Sequence, residues 1–244
     1  MKILLLDIES SPNTAHVWGL WQQNVSMSQL RESSYVLCWA AKWLGHDEVI
    51  FDSVNQSKPR KMLEKIHKML NEADAVVHYN GTKFDIPTLN KEFLLHGMNP
   101  PAPYKQIDLL RQVRSQFRFP SNKLDYVSQR LDLGKKEEHE GHELWVKCMA
   151  GDKDAWKRME QYNKQDVLLL EKLYHRLLPW IKSHPNRNMH SDEHCCPTCG
   201  STELQKRGTA LTVTGQYQRY QCRSCGSWSQ GTKALEKKAE VKPL

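Results

Sequence analysis

The chain opens with Ile3-Leu4-Leu5-Leu6-Asp7-Ile8-Glu9, an apolar run that ends in two carboxylates one residue apart. An unbroken aliphatic stretch of this kind reads as a strand buried on both faces, which in turn requires a sheet covered by other elements. Strand residues two apart project to the same side, so Asp7 and Glu9 point together. Two like charges brought side by side into a protein interior are unfavourable unless cations neutralise them. The pattern predicts a central strand ending at a divalent-metal site. The plainer alternative is a strand that runs out into the polar stretch 9–13.

The rest of the chain extends this reading. Residues 35–43 and 48–52 read as strands, with Gly45-His46-Asp47 short enough to close a hairpin. Residues 59–72 have helical spacing, with Met62, Leu63, Ile66, Met69 and Leu70 on one face. Residues 75–79 form the next strand, closed by the turn signal Asn80-Gly81, and 86–96 follow as a helix stopped by Gly97 and Pro100-Pro101. Residues 107–110 read as a short strand or a strand-to-helix entry, 123–131 as a helix, 137–142 as a polar loop, and a long helix begins near Asp152 and ends near Pro179-Trp180. Strands followed by alternating helices and strands imply an α/β domain, a mixed sheet flanked by helices, over residues 1–182. Residues 183–194 read as a linker, 195–230 as a small cysteine module and 231–244 as a flexible tail. The segment after Ser10, with Pro12, Trp18 and Trp21, fits no regular pattern.

Composition bounds the function. The 244 residues carry a formal charge of +7, which favours a polyanionic partner. No stretch has the apolar length of a membrane span, and the opening run is too short for a signal segment, so a cytoplasmic protein without membrane partners is expected. Five of the seven cysteines fall within residues 195–225, which points to a local metal cluster in a reducing compartment and not to a disulfide framework.

Further acids can be set against the opening pair. Asp85 lies where a strand gives way to a helix, a place where sites form in α/β sheets; alone, it reads equally well as a helix N-cap. Tyr162 and Asp166 stack on one face of the long helix, together with or beside Met159, Leu169, Leu170 and Leu173, so that face is turned inward. The ordinary readings are a core tyrosine and an acid paired with a nearby Lys or Arg. An inward acid needs a partner, and a metal shared with Asp7 and Glu9 supplies one. Asp108 reads as a capping or supporting acid. Asp-x-Glu, Asn-x3-Phe-Asp and Tyr-x3-Asp occur in this order and each in a fitting context.

Taken together, Leu6-Asp7-Ile8-Glu9, Asn80-Gly81-Thr82-Lys83-Phe84-Asp85 and Tyr162-Asn163-Lys164-Gln165-Asp166 resemble the 3′–5′ exonucleases of the DEDD superfamily, which have a ribonuclease H-like fold. Ile107-Asp108-Leu109 and Lys123-Leu124-Asp125-Tyr126-Val127 are similar to the proofreading domains of B-family DNA polymerases, and the pattern 145–151 to stand-alone relatives. The tyrosine four residues before Asp166 is the mark of the DEDDy branch; in the histidine branch His would occupy the position of Gln161. The resemblance implies a five-stranded sheet and two Mg²⁺ or Mn²⁺ ions. Asp7 would bridge them, Glu9 and Asp166 would complete one site, Asp85 would hold the other, and Tyr162 would orient the attacking water. It also implies hydrolysis from the 3′ end to nucleoside 5′-monophosphates, on DNA in preference to RNA, with a polymerase or another replication or repair protein as a possible partner. Asn80, Phe84 and the backbone around Ile8 are the candidates for holding the terminal nucleotide, although an aromatic such as Phe84 more often packs in a core. The rival readings are a structure-specific endonuclease on the same fold and a non-catalytic adaptor that binds nucleic acid or a replication protein.

The cysteine module is legible by itself. Cys196-Pro197-Thr198-Cys199-Gly200 and Cys222-Arg223-Ser224-Cys225-Gly226 are two Cys-x2-Cys-Gly knuckles. This spacing lets both thiolates of a knuckle reach one tetrahedral ion, and the glycine permits the tight turn. The arrangement resembles a zinc ribbon with one structural Zn²⁺, with strands at 211–214 and 216–220 around Gly215. Cys195 and His194 are spare donors, and Cys195 could ligate in place of Cys196. From Ser183 onward there are nine Lys or Arg and five Asp or Glu, and Lys206, Arg207, Arg219 and Arg223 interleave with Tyr217, Tyr220 and Trp228. That composition favours a nucleic-acid surface over a protein-binding one.

Overall fold

A computed structural model describes residues 1–137 and 140–236. The chain divides into two compact units, one of residues 2–173 and one formed by residue 1 with 174–244.

The larger unit is built on a mixed five-stranded sheet. The opening apolar run is β1 (Ile3–Ser10). It is followed by a short pair, β2 (Thr14–Ala15) and β3 (Leu30–Glu32), and then by β4 (Val36–Trp43) and β5 (Ile50–Ser53). Next come α1 (Pro59–Glu72), β6 (Ala75–His78), α2 (Asp85–Leu95), β7 (Lys105–Asp108) and α3 (Leu109–Gln116). The unit closes with α4 (Leu124–Arg130), α5 (His142–Met149) and most of the long α6 (Lys153–Leu177). The sheet order is β5-β4-β1-β6-β7, so β1 has a partner on each edge. It runs antiparallel to β4 and parallel to β6, and β4–β5 is the expected hairpin.

The period of two along β1 sorts its side chains. Leu4, Leu6 and Ile8 join a core with Trp39, Phe93 and the apolar face of α1. In this core the Trp39 indole N–H donates to the Met62 carbonyl at 3.1 Å, which satisfies its one polar atom. Leu5, Asp7 and Glu9 take the opposite face by alternation. A second core lies among Leu37, Leu144, Trp156, Met159 and Tyr162, from β4, α5 and α6.

The turn after β6 is tightly specified. Asn80 has φ +69°, and a Cβ on Gly81 would lie 2.4 Å from Cγ of the buried His78 ring. Asp108 grips this turn by accepting the Asn80 N–H at 3.0 Å, while the same Oδ1 caps α3 through the Leu110 N–H at 3.1 Å. The capping role expected of Asp108 therefore extends to the loop that leads to Asp85. One expectation changes in this unit. The loop expected over 137–142 gives way to helix at His142, where Leu144 and Cys148 supply a buried face too short to register as periodic; Glu138 and His139 lie outside the described residues.

In the smaller unit, residues 187–190 form a helical turn inside the expected linker. Three antiparallel strands follow, β8 (Leu204–Leu211), β9 (Gln216–Cys222) and β10 (Trp228–Glu236), in the order β10-β9-β8. Residues 231–236, expected as the start of a flexible tail, are the last six residues of β10, paired to β9 through Ala234–Tyr217 and Glu236–Gln216. Residues 237–244 lie outside the described residues. The first strand expected at 211–214 ends at Leu211, and 212–215 form the turn, closed by the Thr212 N–H to the Gly215 carbonyl at 2.9 Å.

Candidate metal centre and cysteine cluster

Asp7 and Glu9 project from the second half of β1 towards α6, and α6 turns Asp166 back at them from one helical turn beyond Tyr162. One carboxylate oxygen from each of Asp7, Glu9 and Asp166 lies within 4.8 Å of the others. Three oxygen donors this close suit a hard divalent cation, which favours carboxylates over nitrogen or sulfur. Asp85, the first residue of α2, stands outside this trio. It is 3% exposed, and its Oδ1 accepts the Ile8 N–H at 3.1 Å, so it clamps the helix start to the site strand and is not the N-cap, which is Phe84.

The electrostatics are those of acids without enough cation. Burial pushes the Asp7 carboxyl well above the usual range, with Asp166, Glu9 and Asp85 adding repulsion. Glu9 is raised to about 8 by burial and then by Asp166, against the pull of Lys136 and a hydrogen bond from Trp145. Burial lifts Asp85 to about 7 despite the Ile8 N–H that favours its anion. A divalent cation held by Asp7, Glu9 and Asp166 would favour their charged forms and oppose these shifts, so the residues present fit such an ion.

Two residues that the pattern of acids did not reveal complete the arrangement. Lys136 Nζ forms an ion pair with Asp166 Oδ2 and donates to the Tyr162 hydroxyl at 3.0 Å. Burial opposes its charge, but Asp166, Tyr162 and Asp7 hold its pKa above the ordinary lysine value. Its backbone N–H donates to Asp125 Oδ1 at 2.9 Å, which fixes the loop to α4. The second residue is Asn163, fully buried on α6, whose Nδ2 donates to Asp7 Oδ2 at 2.6 Å and sets the carboxylate's orientation. A Gly-Lys-Lys in a polar loop carries no periodic signal, and an asparagine inside a motif is easily passed over as spacer. Asp166 thus has its lysine, as the ordinary reading of a helix acid expects, but from a loop thirty residues away. Tyr162 is buried, with its hydroxyl on Lys136 and its ring edge-on to Trp145 at 6.0 Å. Burial first and Asp166 second raise its pKa, so it stays a neutral phenol.

The three candidates for holding a nucleotide fare differently. Phe84 is 42% exposed, which removes the core reading; as the residue before α2 it is carried past the edge of the apolar layer. Asn80 is half-buried in the turn and, with Tyr79, Arg114, Lys123 and Lys136, lines a cleft of about 510 Å³. Ile8 has its side chain in the core and its N–H on Asp85, so that donor is already engaged.

In the smaller unit, Cys196, Cys199, Cys222 and Cys225 each offer a sulfur, all within 4.8 Å of one another. Gly200 and Gly226, at φ +81° and +79°, follow the two knuckles in the left-handed conformation that glycine adopts without steric cost. The Thr198 and Ser201 N–H groups approach Cys196 and Cys199 Sγ at 3.4 Å; each bond favours the thiolate, although burial still holds the Cys199 thiol above its ordinary value. Cys195 lies outside the cluster, with its Sγ 3.3 Å from Asn188 Oδ1. Four thiolates in this arrangement fit a tetrahedral zinc ion.

A family model described as RNase_H superfamily matches residues 5–178. Among solved structures, the family B DNA polymerase from the hyperthermophilic archaeon Pyrobaculum calidifontis is similar to this chain, with 18% identity and a TM-score of 0.53 over 73% of this chain and 24% of that one. The likeness is one of fold, and the match spans about a quarter of the polymerase's length. A comparison with curated proteins gave no match. Among the described residues, no helix is long and apolar enough to cross a membrane.

Proposed function

The chain belongs to the RNase_H superfamily, and on that premise we propose that it is a metal-dependent 3′–5′ exonuclease of the DEDDy type, acting on nucleic acid with DNA preferred. The observation that carries the reading is the meeting of Asp7, Glu9 and Asp166 oxygens within 4.8 Å, with Tyr162 one turn from Asp166. Asp7, Glu9 and Asp166 would hold one Mg²⁺ or Mn²⁺, and Asp85 with Asp7 a second. When bound, the two ions supply Lewis-acid stabilisation of the attacking and leaving oxygens of an in-line displacement at phosphorus.

The chain's own groups do the rest. Asn163 keeps Asp7 from rotating, so the carboxylate that would serve both ions is held before substrate arrives. The neutral Tyr162 hydroxyl orients the attacking water, while Lys136, donating to that hydroxyl, fixes the direction of its remaining hydrogen-bonding capacity. Lys136, Arg114 and Lys123 around the cleft offer positive charge to the backbone phosphates, and the exposed Phe84 ring offers a face for the terminal base. The products are nucleoside 5′-monophosphates. The cysteine unit is a zinc ribbon whose basic and aromatic surface assists nucleic-acid binding, including Arg219, which stacks over Trp228 at 5.0 Å. A polymerase or another repair protein is a reasonable partner in trans.

The test uses purified protein with Mg²⁺ or Mn²⁺ and matched DNA and RNA single strands labelled at either end. Stepwise loss of mononucleotides from the 3′ end, abolished in Asp7→Ala and reduced in kcat by about 10²–10⁴-fold in Tyr162→Phe, is expected. Internal cuts would instead assign an endonuclease. Activity undiminished in Asp7→Ala would overturn the reading.

A further inference from the structure

Immediately past Glu9 the chain enters an arm composed of β2, β3 and the segment between them. The arm's base is tied to the end of the sheet. The Ser11 N–H donates to the Tyr35 carbonyl at 2.9 Å, the Tyr35 N–H donates back to Ser11 Oγ at 3.0 Å, and the Ser34 N–H donates to Asn13 Oδ1 at 2.7 Å. Glu9 pairs with Cys38 and Ser10 with Val36 in the β1–β4 ladder, so the arm is rooted at the end of β1 that carries the carboxylates.

Beyond this base the arm keeps its largest side chains outside. Trp18 is 99% exposed and Trp21 85%, and Leu20 and Met27 are open to a similar degree as Trp21. An indole left wholly in water forgoes the burial that ordinarily recovers its large apolar area. Charge narrows what can cover it. Residues 10–31 contain no Asp or Glu, in a chain with 28 of them. Arg31 donates to the His16 ring at 3.2 Å and makes no ion pair among the described residues; these two line a pocket of about 340 Å³ with Val17 and Trp18. The first acid after this stretch, Glu32, is exposed opposite Thr14 at the base. Flat aromatic faces, a cation beside them and no carboxylate over residues 10–31, with Glu32 at the base, match unpaired bases on a phosphate backbone. A duplex has no open base faces to offer, and an apolar peptide would leave Arg31 unmatched.

We infer that this arm is a binding subsite for single-stranded nucleic acid, with Trp18 and Trp21 stacking on bases upstream of the 3′ terminus and Arg31 meeting a phosphate. The inference rests on the nuclease reading above and adds to it a platform outside the carboxylate centre. It makes affinity depend on strand length, because a strand too short to reach the arm forgoes the stacking.

The full chain is titrated, with Ca²⁺ in place of the hydrolytic cation, against labelled oligothymidylates of about four and about sixteen nucleotides. Wild-type protein should bind the longer strand more tightly. In W18A/W21A that gain should vanish, with long-strand affinity at least about tenfold weaker, whereas W18F/W21F should stay within about threefold of wild type because phenyl rings still stack. Both side chains are solvent-exposed, and thermal melting checks that the variants fold. Long-strand affinity unchanged in W18A/W21A would overturn the inference, as would a loss in W18F/W21F equal to that in the alanine pair. A wild-type dimer by sedimentation that becomes monomeric in W18A/W21A at unchanged affinity would assign the arm to a second copy of the chain and also overturn it. A wild type that degrades strands from the 3′ end without any length gain sinks the arm alone. A wild type that neither binds nor cuts either strand sinks the nuclease reading, and the arm with it.

Discussion

Raising the pH from 5 to 8 should destabilise the protein when it is free of Mg²⁺ and Mn²⁺. The reason lies in Glu9 and Asp85, whose folded-state pKa values of about 8 and about 7 stand well above their ordinary values of 4.5 and 3.8. A carboxyl whose pKa is raised by folding contributes stability that is fully present below the unfolded value and is lost as pH rises through the folded one. For Glu9 the window runs from 4.5 to about 8. Each pH unit in it costs about 1.4 kcal/mol, so the step from pH 5 to 8 removes on the order of 4 kcal/mol through this residue. Asp85 adds a loss of the same sign. The total is a large part of the stability of an ordinary domain, roughly 5–15 kcal/mol. Urea denaturation followed by tryptophan fluorescence, on protein passed over a chelating resin, reads this out as a midpoint that falls with pH. Saturating Mg²⁺ or Mn²⁺ should restore the midpoint at pH 8 and change it little at pH 5, where protons already neutralise the acids. Glu9→Gln, which cannot ionise, should flatten the pH dependence and leave the metal-free variant more stable than wild type at pH 8. A metal-free midpoint that is constant or rises from pH 5 to 8, or a cation effect equal at both, would refute the picture of a carboxylate centre held at a cost until a cation arrives.

Asn163→Leu removes the amide that holds Asp7 Oδ2, and divalent-ion affinity, measured by calorimetry, should weaken by about 10–100-fold while the fold persists. Gly81→Ala sets a methyl 2.4 Å from the buried His78 ring, which cannot swing away, so unfolding should be easier by about 1–3 kcal/mol in denaturant melts, with His78→Ala in the same chain recovering part of the loss. Cys222→Ser breaks the four-sulfur cluster; bound zinc by elemental analysis should fall from one equivalent towards none, and proteolysis should open first within residues 195–236.

Much of the α/β unit is legible in the sequence because its signals are local and periodic. The run 3–9 has no polar interruption before Asp7, which marks a central strand, and the alternation of strand side chains by itself puts Asp7 and Glu9 on one side. The helix 59–72 is recoverable to the residue because Met62, Leu63, Ile66, Met69 and Leu70 trace one face and Pro59 opens it. The two knuckles are readable because the Cys-x2-Cys-Gly spacing that brings four sulfurs together is written directly along the chain. The ribonuclease H-like fold implied by the three acidic motifs is that of the family to which residues 5–178 belong.

Tertiary structure alone decided what depends on loops meeting helices. Nothing in Gly134-Lys135-Lys136 foretells an ammonium on Asp166, because the position of a loop lysine is set by what anchors the loop, here Asp125. Asn163 lies inside a motif, yet its amide matters only because α6 packs against β1 at the right height to reach Asp7. Phe84 reads as core from its type and emerges half in solvent, since burial is settled by where the apolar layer ends and not by the residue. Likewise, the tryptophans after Ser10 could have been core in any of several folds. Only the packed sheet, tying residues 11 and 13 to 34 and 35, leaves them outside. From sequence came the elements and the acids at their ends, because backbone periodicity and metal-ligand spacing are written along the chain. The structure supplied the groups that orient and neutralise those acids, because such contacts join residues that only folding brings within a hydrogen bond of each other.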